Sequence, residues 1–214
     1  MQRTTTFTLT VTSTPQAISF LQVAAATPQS PTGTVAVTYP SAQTAGDFNI
    51  VVVGWNDTTA TVQSVRDSVG NPYSLAIGPT SGTGLRQAIY SAPNIVGGNN
   101  TVSVIFSQPA VYPDIRILEY RGVTTLDVTA GASGNSSAAS SGSATTTSAT
   151  ALIFGASTVF TSTTGPGPGL TSRIITSPDG DIAEDRIVTT TGAYSATAPL
   201  NSAGPWVMQM ATFK

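Results

Sequence analysis

The stretch NIVVVGW, residues 49–55, decides the fold class of this 214-residue chain. It is a continuous apolar run of strand length, and Asn56-Asp57 turns the chain directly after it. Such a run reads as a central strand buried on both faces. Moving outward, TVAVTY (residues 34–39) alternates strictly between apolar and polar positions, the mark of a half-buried strand. AISFLQVAAAT (residues 17–27) precedes it, with Ile18, Leu21 and Val23 as candidate core residues and Pro28 and Pro31 closing it. Downstream, strands at residues 61–67 and 73–77 flank DSVGN, where Asp67 caps a turn and Gly70 is expected to take a positive φ. Further strands are read at residues 85–91, 101–106, 115–120, 152–160, 170–176, 185–190, 193–198 and 206–213.

No segment reads as a helix; IAEDR, residues 182–186, comes nearest, at about one turn. The Gly/Ser/Ala/Thr-rich residues 130–148 read as a flexible loop, with a threonine-rich edge strand over 144–150 as the alternative. GPGPG, residues 165–169, reads as a loop tip. The pattern predicts an all-β chain folded as a two-sheet β-sandwich, jelly-roll-like, with an immunoglobulin-like arrangement as the alternative. Residues 16–214 form one domain in this reading. Residues 1–15 form an N-terminal extension strand, in which Phe7, Leu9 and Val11 alternate with threonine until Pro15 stops the ladder.

Composition removes several function classes. Only 8% of residues are charged, against about 25% in ordinary globular proteins. The net charge is −2 and there is no basic patch, so nucleic acid is not an expected partner. No apolar run approaches the ~18 residues of a membrane span, and no membrane insertion is expected. With neither cysteine nor histidine, Cys/His zinc sites, disulfides and Ser-His or Cys-His catalytic pairs are excluded. The one lysine, Lys214, ends the chain, which excludes an interior Lys–Asn isopeptide crosslink. Low charge and abundant serine and threonine point to an extracellular or cell-surface location, with no signal peptide visible.

Four stretches carry a resemblance: AGDFNIVVVGWND (residues 45–57), SVRDSVGNPYSLA (64–76), IRILEYRGV (115–123) and ATALIFGA (149–156). From Ile18 onward the chain resembles a functionally unassigned β-sandwich module of secreted bacterial proteins. That resemblance implies fold and location, not activity. FTLTVTST, in the extension, resembles the donor strand of fibre-forming subunits, in which one subunit's terminal strand fills a groove of its neighbour.

Candidate sites are few. Glu119 and Glu184 are the only glutamates, and the Glu-x-Asp-x-Glu strand motif of sandwich glucanases is missing. The chain is therefore expected to be non-enzymatic, with no cofactor. Asp179, Asp181, Glu184 and Asp185 form the one dense acidic cluster and are candidate Ca²⁺ ligands, although their spacing is not that of an EF-hand. Arg173 and Arg186 lie close enough in sequence to neutralise them instead. Asn56, Asn99 and Asn135 open N-glycosylation sequons, each in an expected loop. Among the aromatic residues Tyr112, flanked by Pro109 and Pro113, is the candidate exposed contact for carbohydrate, while Trp55 and Trp206 read as core.

Two functions are expected from different classes. The first is a structural subunit of a pilus-like extracellular fibril or surface assembly. It self-assembles head-to-tail by donor-strand β-augmentation, with Phe7, Leu9 and Val11 entering a second copy. The alternative is a carbohydrate-binding or adhesion module of a larger secreted protein, with glycans as partners.

Overall fold

The computed structural model describes residues 16–214; Phe7, Leu9, Val11 and the extension strand lie outside them. The described residues are all β, with thirteen strands and no helix. In chain order these are β1 (Ser19–Ala26), β2 (Thr32–Thr38), β3 (Phe48–Trp55), β4 (Val62–Asp67), β5 (Ser74–Ser81), β6 (Arg86–Ala92) and β7 (Thr101–Ala110). They continue as β8 (Asp114–Arg121), β9 (Leu126–Thr145), β10 (Ala151–Val159), β11 (Thr171–Ile175), β12 (Ile182–Val188) and β13 (Ala193–Phe213).

Three antiparallel sheets are present where two were expected. Their orders are β1-β8-β3-β6-β5, β11-β12-β10-β13-β9 and β2-β7-β4. The first sheet is the middle layer, because alternate residues of its strands enter different cores. Val51, Val53, Trp55, Ile115 and Ile117 pack on Val35, Val37, Val102, Val104 and Phe106 of the three-stranded sheet. Ile50, Val52, Leu118 and Tyr120 face the other way and pack on Leu152, Phe154 and Phe213. All of β3 is buried, so NIVVVGW needs no polar face.

The second sheet is also covered on both sides, by the middle sheet on its inner face and by its own strands on its outer face. A straight strand of twenty residues would span about 66 Å. Yet Thr147 N–H donates to Asp127 Oδ2 at 2.8 Å, which brings the two ends of β9 together. The β9–β13 ribbon therefore folds back on itself, and its register breaks between Pro199 and Gly204. Its returning half lays Ala139, Ala196, Ala198 and Leu200 over Ile153, Val188, Met208 and Met210 on the outer face. Residues 130–148, read as a loop, are thus largely strand: their side chains are too small to show an apolar alternation, and β13 supplies the ladder.

Two other expectations change. Residues 182–186 are not a helical turn but part of β12, paired along β10 from Ala183↔Ala156 to Val188↔Ala151. The GPGPG segment is not a free tip. Gly167 is buried beside Thr197, whose carbonyl oxygen would stand 2.1 Å from any Cβ at this position. No helix among the described residues is long and apolar enough to cross a membrane.

Candidate functional site

The loops at one end of the stack enclose an open cleft of about 530 Å³. The loops after β3 and β7 bring Asn56 and Tyr112; the end of β10 brings Phe160; the β11–β12 turn brings Asp179 and Asp181; the ribbon fold brings Asn201. Gln29, from the β1–β2 loop, lines it too and donates through Nε2 to Asp179 Oδ1 at 2.8 Å.

Two aromatic side chains remain in solvent here, Tyr112 at 43% exposure and Phe160 at 48%. Tyr112 is held at φ 43°, in the left-handed region, where an L-residue is strained by about 1–2 kcal/mol. Asp57 holds that loop. Its Oδ1 accepts from Thr59 N–H and Ala60 N–H, and its Oδ2 from Val111 N–H at 2.9 Å. Burial opposes ionisation of Asp57, but the N–H groups of Val111, Ala60 and Thr59 outweigh it and keep the carboxyl below its ordinary value. The Asn56 N–H donates to the Val111 carbonyl at 2.7 Å, closing the same corner.

Beneath the cleft lies a buried ionic group. Arg116 projects from β8 toward the second sheet, fully enclosed. Its Nη1 donates to the carbonyls of Ser157 at 2.8 Å and Ile182 at 2.6 Å. Its Nε is 2.8 Å from Asp114 Oδ1, an ion-pair distance, and its Nη2 is 3.8 Å from Asp181 Oδ2. Asp181 also accepts from Val159 N–H at 2.8 Å. Burial, then the neighbouring Asp114, push the Asp181 carboxyl well up; burial also raises Asp114, partly offset by Arg116.

The acidic cluster does not converge. Asp179 faces the cleft, Asp181 pairs with Arg116, and Asp185 takes both Arg173 and the Tyr120 hydroxyl, at 2.6 Å. Glu184 lies under the returning ribbon and accepts from Gly167 N–H at 2.9 Å. Successive residues of β12 point to opposite faces, which alone parts Glu184 from Asp185. No group of three or more acidic side chains gathers to hold a metal among the described residues. Glu119 and Glu184 are no catalytic pair. Glu119 points toward the three-stranded sheet, bonded by Gln22 and Thr44 N–H, whereas Glu184 faces the opposite outer side of the stack.

Of the sequons, Asn99 is exposed in the β6–β7 loop. Asn56 is half-buried in the cleft, where a ligand would meet it. Asn135 is exposed but lies within β9 opposite Pro205, not in a loop. Sequence reasoning placed Tyr112 correctly as exposed and Trp55 and Trp206 as buried. It missed Gln29, Phe160 and Asn201. A signal existed for Phe160 alone, since it is a large apolar residue at the strand's end, directly before the polar run TSTT.

With this geometry in view, the chain matches no family model, no curated protein and no solved structure.

Glu184 gives a direct test of the folded-back ribbon. Burial raises its carboxyl from 4.5 to about 7, and Oε1 has no hydrogen-bond partner. Between those values the folded chain binds the proton and the unfolded chain does not. Stability is therefore full below pH about 4.5 and falls as pH rises to about 7, by up to about 3 kcal/mol in all. Urea unfolding of Glu184→Gln is expected to lose this part of the slope, leaving only that of the other raised carboxyls, Asp181 and Asp114 among them. A wild-type curve that stays flat over the window would show Glu184 in solvent.

Proposed function

We propose that the chain is a glycan-binding module and that the cleft carrying Tyr112 and Phe160 is its binding site. The supporting observation is two exposed aromatic rings in one cleft whose other walls, Val159 and Pro178 aside, are amides, hydroxyls and carboxylates. Sugar rings present apolar C–H faces that stack on aromatic planes, and hydroxyl edges that amides and carboxylates satisfy. Few convergent polar groups in a concave site is the general form of a small-ligand site. The strain at Tyr112 fits this reading, since backbone strain clusters at ligand clamps. The low charge agrees with an extracellular module of a larger secreted protein.

A glycan array followed by titration calorimetry tests this. Tyr112→Ala and Phe160→Ala are each expected to weaken any bound glycan about tenfold, equivalent to 1.4 kcal/mol. Unfolding midpoints should not move, because both side chains are exposed. Binding that survives both substitutions would place the site elsewhere.

A second reading is the self-assembling subunit of a fibril or surface layer. It draws on β1, whose sequence SFLQVAAA is uncharged and which ends its sheet with only β8 beside it among the described residues. Uncharged open edges invite strand addition. In this reading Phe7, Leu9 and Val11 of one copy add to that edge of the next. Deleting residues 1–14 is expected to abolish polymers seen by light scattering, and Phe7→Asp to do the same through one buried charge. Polymers that persist in both variants would end this reading.

A further inference from the structure

Resting on the glycan reading, we infer that the cleft selects a sugar carrying a free ammonium group, an amino sugar without its acetyl cap. Neutral and acidic sugars are the disfavoured alternatives.

Charge is the first support. The lining holds Asp179, the almost wholly buried Asp181, and neither lysine nor arginine, so Asp179 is the acid a ligand reaches. The one cation beneath, Arg116, is sealed from the cleft, with its Nη1 engaged by two carbonyls and its Nε beside Asp114. A ligand therefore meets carboxylate and never guanidinium. A uronic acid or sulfated sugar would bring a like charge against Asp179 in a partly enclosed site, where Coulomb terms exceed their value in water.

Unmet acceptor capacity is the second. Asp179 Oδ1 accepts from Gln29; Oδ2 has no hydrogen-bond partner and is closed off from solvent, so a small rotation of the carboxylate is needed to present it to a ligand. A carboxylate only accepts, so its missing partner must be a donor. An ammonium supplies three donors and a matching charge, and charge-assisted hydrogen bonds are about twice as strong as neutral ones. An acetamido group offers one neutral N–H and the added bulk of the acetyl.

The aromatic pair is the third. Tyr112 and Phe160 line the same cleft as Asp179. Aromatic faces attract cations through the ring quadrupole. Rings that stack on a sugar and a carboxylate that holds its amine are complementary demands on one ligand.

The test is titration calorimetry of the full chain at mildly acidic pH and low salt. The ligands are hexamers of glucosamine, N-acetylglucosamine, glucose and galacturonate, with free choline as an ammonium that bears no sugar. The glucosamine hexamer is expected to bind at least about tenfold tighter than the acetylated and neutral hexamers. Galacturonate should show no binding. Asp179→Asn should erase the preference for the amine while leaving weak neutral binding, and Tyr112→Ala should weaken all hexamers together. Equal or tighter binding of the acetylated or neutral hexamer overturns the amine inference and leaves the glycan reading standing. Glucosamine binding that ignores both substitutions shows only attraction of a polycation to an acidic protein and overturns it too. Choline binding as tightly as the hexamer overturns the sugar as the source of the ammonium. Silence from every hexamer overturns the glycan reading itself.

Discussion

Arg116→Leu is expected to destabilise the folded chain by about 3–5 kcal/mol. The side chain is fully buried, and four groups depend on it: the carbonyls of Ser157 and Ile182, and the carboxyls of Asp114 and Asp181. Leucine would leave two carboxyls facing one another in a dry interlayer space. It would also cut the link from β8 in the middle sheet to β10 and β12 in the second. The pH dependence follows. Both carboxyls already sit above their ordinary value, and without the guanidinium they rise further. The folded variant then holds protons that the unfolded chain releases, so its deficit shrinks as pH falls toward about 4. Adding Asp114→Asn and Asp181→Asn to Arg116→Leu removes the stranded charges and should recover part of the loss at neutral pH. Urea midpoints for the single and triple variants decide it. A single variant within about 1 kcal/mol of wild type would mean the guanidinium is solvated. Glycan affinity should fall in parallel, because Asp181 joins this group to the cleft.

The double burial of β3 was legible because burial on both faces leaves a mark in sequence, although the expectation stopped at two sheets. NIVVVGW has no polar alternation, and a strand of that kind needs cover on each side. That condition already calls for a layer on either side of β3, and the structure supplies both. The ribbon was illegible for the opposite reason. In GASGNSSAASSGSAT every side chain is small, so the inward residues, such as Ala139 and Ser141, differ too little from their neighbours to show a period of two. Backbone pairing with β13 decides the structure there. Small side chains also let the ribbon lie close against β10: a Cβ on Gly155 would stand 2.5 Å from the Ala196 methyl. For the cleft, Tyr112, Asn56, Asp179 and Asp181 were each visible as unusual, but under three unrelated chemistries. Only the fold brings them to one wall. Gln29 meets Asp179 across 150 residues of sequence, a distance no local pattern spans.

Gly54→Ala is the sharpest test of how the middle and second sheets meet. Residue 54 follows Ile50 and Val52 on the face that packs against the second sheet, where apolar packing gives way to a polar seam. There Thr158 Oγ1 donates to Gln87 Oε1 at 2.8 Å, and Gln87 Nε2 donates to the Ala156 carbonyl and to Gln209 Oε1. A Cβ at position 54 would stand 2.2 Å from Thr158 Oγ1 and 3.3 Å from both Thr158 Cβ and Arg116 Nη2. Two effects oppose each other. Replacing glycine in a strand gains about 0.5–1 kcal/mol from the unfolded state. The overlap costs about 1–3 kcal/mol as overpacking, and about as much again if Thr158 swings away and leaves the Gln87 oxygen only the long contact from Arg116 Nη2 at 3.5 Å. The clash wins, and a net loss of about 2–4 kcal/mol is expected. Gly33→Ala on β2 is the control, with nothing within 4 Å of its Cβ position; there the entropic gain stands alone and stability should hold or rise. Thr158→Ala by itself should cost about 1 kcal/mol by removing the donor to Gln87. Combined with Gly54→Ala it should cost less than the sum of the two, by at least about 1 kcal/mol, because the second change removes the atom with which the first collides. Strict additivity in that cycle would mean that β3 and β10 do not approach each other here, and the layer order would have to be redrawn.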